Sequence, residues 1–93
     1  MTTQPAKRAN ICVVGSTNID LITKAPRLPV MGETMIGHSF HLGYGGKGAN
    51  QAVMAAKLGA AVKMVTKVGR DVFGDWALKN YREQGIDTTH VLF

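Results

Sequence analysis

A chain of 93 residues that is 45% hydrophobic and 18% charged has the balance of a globular protein, and no apolar run approaches the roughly 20 residues a membrane span needs. Its formal charge of +5 admits an anionic ligand. Lys57, Lys63, Lys67, Lys79 and Arg82 are nevertheless scattered as on solvated faces, with no aromatic side chains interleaved, which argues against a nucleic-acid partner.

Residues 1–9 are polar and read as a loose tail. The pair Lys7-Arg8 precedes only the apolar run "ICVV", too short for the core of a secretion signal, so a cytoplasmic protein is expected. The stretch "NICVVGS" is a β-branched run closed by glycine: a buried strand that opens into a loop at Ser16 and Thr17. Cys12, the single cysteine, is expected to be a small buried residue of that strand, and with no second cysteine a disulfide or a structural zinc site is excluded.

Residues 20–24 form a second short strand, and "PRLPVMGE" after it is a turn region that neither a helix nor a central strand crosses. Between Thr34 and Leu42, the apolar Ile36, Phe40 and Leu42 fall on alternate positions. That spacing makes a half-exposed strand, which pairs with residues 20–24 as an antiparallel flap. In "GANQAVMAAKLG" the small and apolar residues Ala49, Ala52, Val53 and Ala56 stand at helical spacing, and Gly59 is placed to stop the helix.

The next stretch, "AVKMVTKVG", alternates as a strand with Val62, Met64 and Val68 on one side. In "GRDVFGDWALKNYREQG" Asp71 caps a helix that Gly85 ends, with Trp76 and Tyr81 packed on the sheet. "THVLF" begins one more strand. The order strand, flap, helix, strand, helix, strand argues for an α/β protein with a parallel sheet. Two helices cannot cover both faces of such a sheet, so the chain is expected to be the opening third or so of a larger protein.

Chemistry concentrates in "LGYGGKGANQA". Gly43, Gly45 and Gly48 satisfy the G-x-G-x-x-G spelling of a dinucleotide loop, and Asp71 lies near the spacing of its ribose-binding acid. Against that, "MIGHSFHLGY" makes a poor buried strand before the first glycine. A phosphate loop of the G-x-x-x-x-G-K-[ST] kind fails on spelling: it needs glycine at His41 and a hydroxyl at Gly48. Glycines still let backbone approach a ligand, and a helix starting near Gly48 points unpaired N–H groups at it. Lys47 as donor and Asn50 as donor and acceptor suit a cluster of hydroxyl groups.

A second polar group, Asn18 and Asp20 in "GSTNID", follows the first strand, where ligands of open α/β sheets bind. Asp20 accepts from two hydroxyls, and Asn18 both gives and takes. Turn chemistry or capping at Asn18 and Asp20, a solvated Lys47 and a local backbone bond at Asn50 are the alternatives. His38, His41 and His90 have no metal-ligand spacing, and no metal site is expected.

These strings, "GGKGANQA" followed by Gly59 and Gly69, with "GSTNIDL", "VMGE" and "VGRDVFG", resemble the ribokinase-like family of carbohydrate and purine kinases over about Asn10 to Phe93. The resemblance implies the N-terminal part of a three-layer α/β/α sandwich with a small β-sheet lid. It is nearest to the ribose-phosphorylating branch, because phosphofructokinase-like members usually begin with an N-P motif and fructokinase-like members usually lack the lysine.

The activity so implied is transfer of the ATP γ-phosphate to the primary hydroxyl of D-ribose with Mg2+, activated by a monovalent cation (K+). Asn18, Ile19 and Asp20 with Gly46, Lys47, Gly48, Ala49 and Asn50 would bind the sugar. The lid, residues 20–24 and 34–42, would pair with a second subunit's lid in a homodimer. The family's catalytic base lies in a G-A-G-D motif that this sequence lacks, the nearest strings being residues 68–71 and 85–87. No catalytic residue, nucleotide site or metal ligand is therefore expected in the chain, and by itself it should be inactive. Another sugar or nucleoside kinase of the family, or a dinucleotide-binding domain, is the alternative.

Overall fold

The computed structural model describes residues 7–93. Five strands and two helices follow in the order β1 (Asn10–Val14), β2 (Asn18–Lys24), β3 (Ser39–Gly45), α1 (Lys47–Lys57), β4 (Ala61–Lys67), α2 (Val72–Glu83) and β5 (Val91–Leu92). A parallel sheet has the order β1-β4-β5, and β2 and β3 form a separate antiparallel pair. In the parallel sheet Asn10 stands opposite Ala61 and Val14 opposite Val65, and Thr66 opposite Val91.

Alternation along β4 sends Val62, Met64 and Thr66 inward, where Val62 and Met64 meet Val13 of β1, Ala49 and Ala52 of α1 and Tyr81 of α2 in one core cluster. Both helices therefore cover the same face of the sheet, as two successive right-handed crossovers require. Val68, expected on that face, lies beyond the end of β4 at the margin of the core.

The opposite face is open. Cys12, expected to be buried, is exposed there, beside Val14 with 76% of its surface exposed. An apolar run shows that a strand forms but not which of its faces is covered. Inward-pointing Val13 takes the helix side, and Cys12 and Val14 take the other.

Local chemistry sets the helix ends. Asp71 has extended backbone, and its Oδ1 accepts a 2.8 Å hydrogen bond from the Gly74 N–H, closing the first turn of α2. Gly59 and Gly85, with φ of 99° and 74°, follow the two helices in the left-handed region that glycine tolerates. Tyr81 packs on the sheet as expected, 1% exposed. Trp76 instead borders a cleft of about 280 Å³ shared with Ile19, Leu42, Gly43 and Tyr44, so it joins α2 to the β2–β3 pair rather than to the parallel sheet.

Two boundaries differ from the sequence reading. The two strands expected to form the lid run over Asn18–Lys24 and Ser39–Gly45 instead of 20–24 and 34–42. Lys24 pairs with Ser39 and its carbonyl accepts from the His38 N–H at 2.6 Å; beyond Lys24 the chain turns at Pro26 and Pro29, and the ladder does not extend over residues 34–37 despite the alternating Ile36. Residues 1–6 of the expected tail lie outside the described residues. Arg8 and Ala9 are tied down: the Arg8 guanidinium donates to the carbonyls of Gly59 and Ala60, both at 3.1 Å, and Ala9 accepts from the Ala61 N–H at 2.7 Å.

Candidate functional site

The site is built where the turn after β1 meets the start of α1. Gly46, the residue before the helix, has φ 101° and makes no side-chain cap. A Cβ there would stand 2.7 Å from the Ser16 carbonyl oxygen, so glycine is required both by the torsion angle and by the close approach. Within the first turn, Gly48 rests on Gly15, again with room for no side chain. The Ala49 N–H donates to the Ser16 carbonyl at 2.9 Å. Residues 15–18 are thereby clamped to the first turn of α1.

That first turn holds Lys47 and no acidic residue. A cation at the positive end of a helix is unfavourable by a few tenths of a kcal/mol or more, and an uncapped start leaves N–H groups to bond outside the helix. Of the first four, the Ala49 N–H bonds to the Ser16 carbonyl and the Asn50 N–H to the Gly46 carbonyl. Local rules are broken here without local compensation, as at sites kept for a ligand.

The β2–β3 pair supplies the other wall. Its register sets Asn18 opposite Gly45, Ile19 opposite Tyr44, Asp20 opposite Gly43 and Leu21 opposite Leu42. Alternation then separates two faces. One carries Ile19, Leu21, Phe40, Leu42 and Tyr44, and the other Asn18, Asp20, Gly43 and Gly45. On the polar face, a Cβ at Gly45 would lie 2.7 Å from both carboxylate oxygens of Asp20. Asp20 therefore lies over the glycine that leads directly into Gly46 and Lys47, and only glycine at position 45 leaves its carboxylate that room.

The residues singled out from the sequence thus divide. Asn18, Asp20, Gly46 and Lys47 gather around the Gly45–Gly46 junction. Ile19 faces the other way, toward Trp76. Ala49 is buried in the core, and Gly48 packs on Gly15, so neither side chain is available to a ligand. Asn50 is exposed and lines a groove between α1 and the start of β1, with Arg8, Ile11, Met54 and Leu58. Asn18 borders a different cleft, of about 380 Å³, together with Lys67 and Asp71. Among the described residues the site is an open surface, and Asn50 reaches it only along the first turn of the helix.

Sequence reasoning missed a cluster of hydroxyls beneath the site. Thr17 Oγ1 lies 3.0 Å from Thr66 Oγ1 and 2.5 Å from Tyr81 Oη. Burial pushes the Tyr81 phenol up from its ordinary pKa, against a smaller downward pull from the Thr17 hydrogen bond. The available signal was Thr66 itself, a hydroxyl in the inward register of Val62 and Met64, which demands a partner.

The dinucleotide reading does not survive the topology. Gly43 and Gly45 belong to antiparallel β3 and not to a turn after a strand of the parallel sheet. The Asp71 carboxylate, its supposed ribose ligand, is spent on capping α2. Among the described residues no three His, Cys, Asp or Glu side chains are grouped to hold a metal ion, and no helix is long and apolar enough to cross a membrane.

The family model described as pfkB family carbohydrate kinase matches residues 8–93, and the chain belongs to that family. It is 51% identical over 82 residues to a deoxyribokinase of Salmonella typhi, covering 88% of this chain and 27% of that protein. To a ribokinase of Bacillus subtilis it is 50% identical over 82 residues, 88% of this chain and 28% of that one. The structure of Arabidopsis thaliana ribokinase complexed with ribose and ATP superposes with a TM-score of 0.83 at 33% identity, over 92% of this chain and 28% of that chain. The chain thus spans little more than a quarter of the length of these relatives.

Proposed function

We propose that this chain is the sugar-binding portion of a carbohydrate kinase that phosphorylates the primary hydroxyl of D-ribose, or of a closely related pentose, with ATP. The observation that carries the proposal is the Asp20 carboxylate laid over Gly45 beside the uncapped, lysine-bearing start of α1. A carboxylate that only accepts, an ammonium and free N–H groups that only donate, and the amides of Asn18 and Asn50 that do both complement vicinal hydroxyls. Relatives named for ribose and for deoxyribose differ in one hydroxyl of the sugar. The acceptor is accordingly proposed as a pentose, with D-ribose first.

Phosphoryl transfer also needs ATP, Mg2+ and a base. The 93 residues contain no G-A-G-D string, and the described residues group no metal-binding carboxylates. The reading therefore assigns this chain the acceptor side only, with nucleotide, Mg2+ and K+ held by other residues. The apolar face of the lid, with Leu21 58% and Phe40 60% exposed, suits pairing with the lid of a second copy. Such a kinase would work in the cytosol, where a single unpaired cysteine is ordinary.

Calorimetric titration of the chain with D-ribose, 2-deoxy-D-ribose and D-fructose, alongside Asp20→Asn, tests the reading. Expected is saturable binding of a pentose that Asp20→Asn weakens by roughly 12- to 150-fold, the range for losing hydrogen bonds to a charged group. Equal affinity in the parent and the variant removes Asp20 from the site.

A further inference from the structure

We infer that Tyr81 and Thr66 are positioning residues for the sugar-binding face, acting through Thr17, whose hydroxyl they hold one residue before Asn18 and three before Asp20. The inference rests on the sugar-binding reading given above. It concerns how the core of the parallel sheet fixes a site that none of its own side chains touches.

Thr66 stands near the carboxyl end of β4 and is the only buried polar or charged residue in the described core apart from the Tyr81 phenol. Both reach one atom, Thr17 Oγ1, at 3.0 and 2.5 Å. A hydroxyl has one proton and two lone pairs, so Thr17 can donate to one partner while accepting from the other. Among the described residues no buried side-chain nitrogen or oxygen is left without a partner. Three hydroxyls meeting in an otherwise apolar cluster are costly unless all are joined, and here they are joined at the segment that leads into β2.

The segment is held from its other side as well. The Ser16 carbonyl accepts from the Ala49 N–H at 2.9 Å, and a Cβ added at Gly46 would stand 2.7 Å from the Ser16 carbonyl oxygen and 2.9 Å from the Asn18 nitrogen. Ser16 is thus pinned to α1, and Thr17 to β4 and α2. Since Asn18 and Asp20 share one face of β2, fixing Thr17 sets where both side chains stand relative to Lys47. Ligand groups lose much of their value when displaced by more than about 0.5 Å. With the pin removed, the fold should survive and the face should drift.

The Ala49 amide supplies a readout that needs no ligand, because its hydrogen bond ends on Ser16. The Met64 amide, which donates to the Asp87 carbonyl at 3.1 Å, reports on the sheet instead. Hydrogen exchange at both amides is measured by NMR in the parent chain, Thr17→Val, Thr17→Ser and Tyr81→Phe, with D-ribose affinity measured on the same samples. Thr17→Val should speed exchange at Ala49 about tenfold and weaken D-ribose about tenfold while changing Met64 less than about twofold, the size expected when one or two net hydrogen bonds are lost locally. Tyr81→Phe, which keeps the ring and the Thr17–Thr66 bond, should give a smaller effect at Ala49 alone. Thr17→Ser, which keeps the hydroxyl, should restore both values.

Equal acceleration at Ala49 and Met64 would show that the hydroxyls serve only overall stability, and no change at Ala49 would show that they hold nothing; either result overturns the inference. If Thr17→Val does not fold, Tyr81→Phe decides by the same two amides. A parent chain that ignores D-ribose while Ala49 responds as described would refute the pentose reading and leave the pinning of residues 16–18 by Tyr81 and Thr66 supported.

Discussion

Replacing Gly48 by alanine pits two effects of opposite sign against each other. At an exposed helical position the change would stabilise by about 1 kcal/mol, because glycine is the poorer helix former. Gly48 is not exposed: its added Cβ would lie 2.7 Å from the Gly15 carbonyl carbon, the Gly15 α-carbon and the Ser16 nitrogen. All three are backbone atoms, which cannot swing aside as a side-chain end could. Relief requires α1 to move off β1 by several tenths of an ångström, stretching the Ala49–Ser16 hydrogen bond and loosening the helix start. Overpacking of this kind costs about 1–3 kcal/mol, a large part of the roughly 5–14 kcal/mol expected for a domain of this length. For a domain of 60–100 residues each kcal/mol moves the melting temperature by about 4–8 °C. Urea and thermal unfolding followed by circular dichroism should therefore place Gly48→Ala well below the parent. Gln51→Ala, on the exposed side of the same helix, should stay within about 0.5 kcal/mol. A Gly48→Ala variant as stable as the parent, or more so, would refute the close approach of β1 and α1 on which the site depends.

Asp71→Ala removes the cap of α2 and should lower unfolding stability by about 1 kcal/mol; an unchanged urea midpoint would mean that α2 starts elsewhere. Because burial raises the Tyr81 pKa in the folded state, its neutral phenol contributes stability in full below its unfolded value of about 10. That contribution is lost as pH rises through the higher folded value. The urea midpoint should fall on that alkaline limb and fall less in Tyr81→Phe, and identical limbs would contradict the burial of the phenol. In the connection between β2 and β3, the Arg27 guanidinium holds the Glu33 carboxyl below its ordinary pKa, helped by the Val30 N–H. Its contribution is present above the unfolded value of about 4.3 and lost as pH falls through the lower folded one. A carbon-detected titration of Glu33 should show that lowered midpoint, and Arg27→Ala should raise it; no response to Arg27→Ala would dissolve the pair.

Much of this architecture was legible because its signals are local. Asp71, Gly59 and Gly85 mark helix ends by backbone chemistry that neighbouring residues cannot override, and the alternation of Val62 and Met64 gave the inward face of β4. Other features depend on what lies across the sheet. Cys12 was misplaced because an apolar strand reads alike whether one face is covered or two. The flap was found, yet its second strand was set too early: Ile36 continues the alternation of Phe40 and Leu42, but pairing stops where β2 runs into Pro26.

The glycine stretch drew attention rightly and for a different reason from its spelling. Gly45 makes room for a carboxylate, Gly46 for a positive torsion and Gly48 for another backbone, three separate demands written in one residue type. Of the residues singled out as candidate sugar ligands, Asp20 and Lys47 lie on either side of the Gly45–Gly46 junction. Ile19 stands beside Trp76, Gly48 packs on Gly15 and Ala49 lies in the core. The Thr17–Thr66–Tyr81 cluster was not legible, because its members lie 49 and 64 residues apart in the chain.

The central claim is that the carboxylate of β2 and the first turn of α1 face one polyhydroxylated ligand. A nitrogen-15 amide shift map of the labelled chain titrated with D-ribose tests it most directly. The account predicts saturable shifts confined to Asn18–Asp20 and Gly45–Asn50, with Lys63, Lys79 and Leu92 unmoved. Shifts at only one of the two segments, or none at sugar concentrations that saturate any specific site, would contradict it.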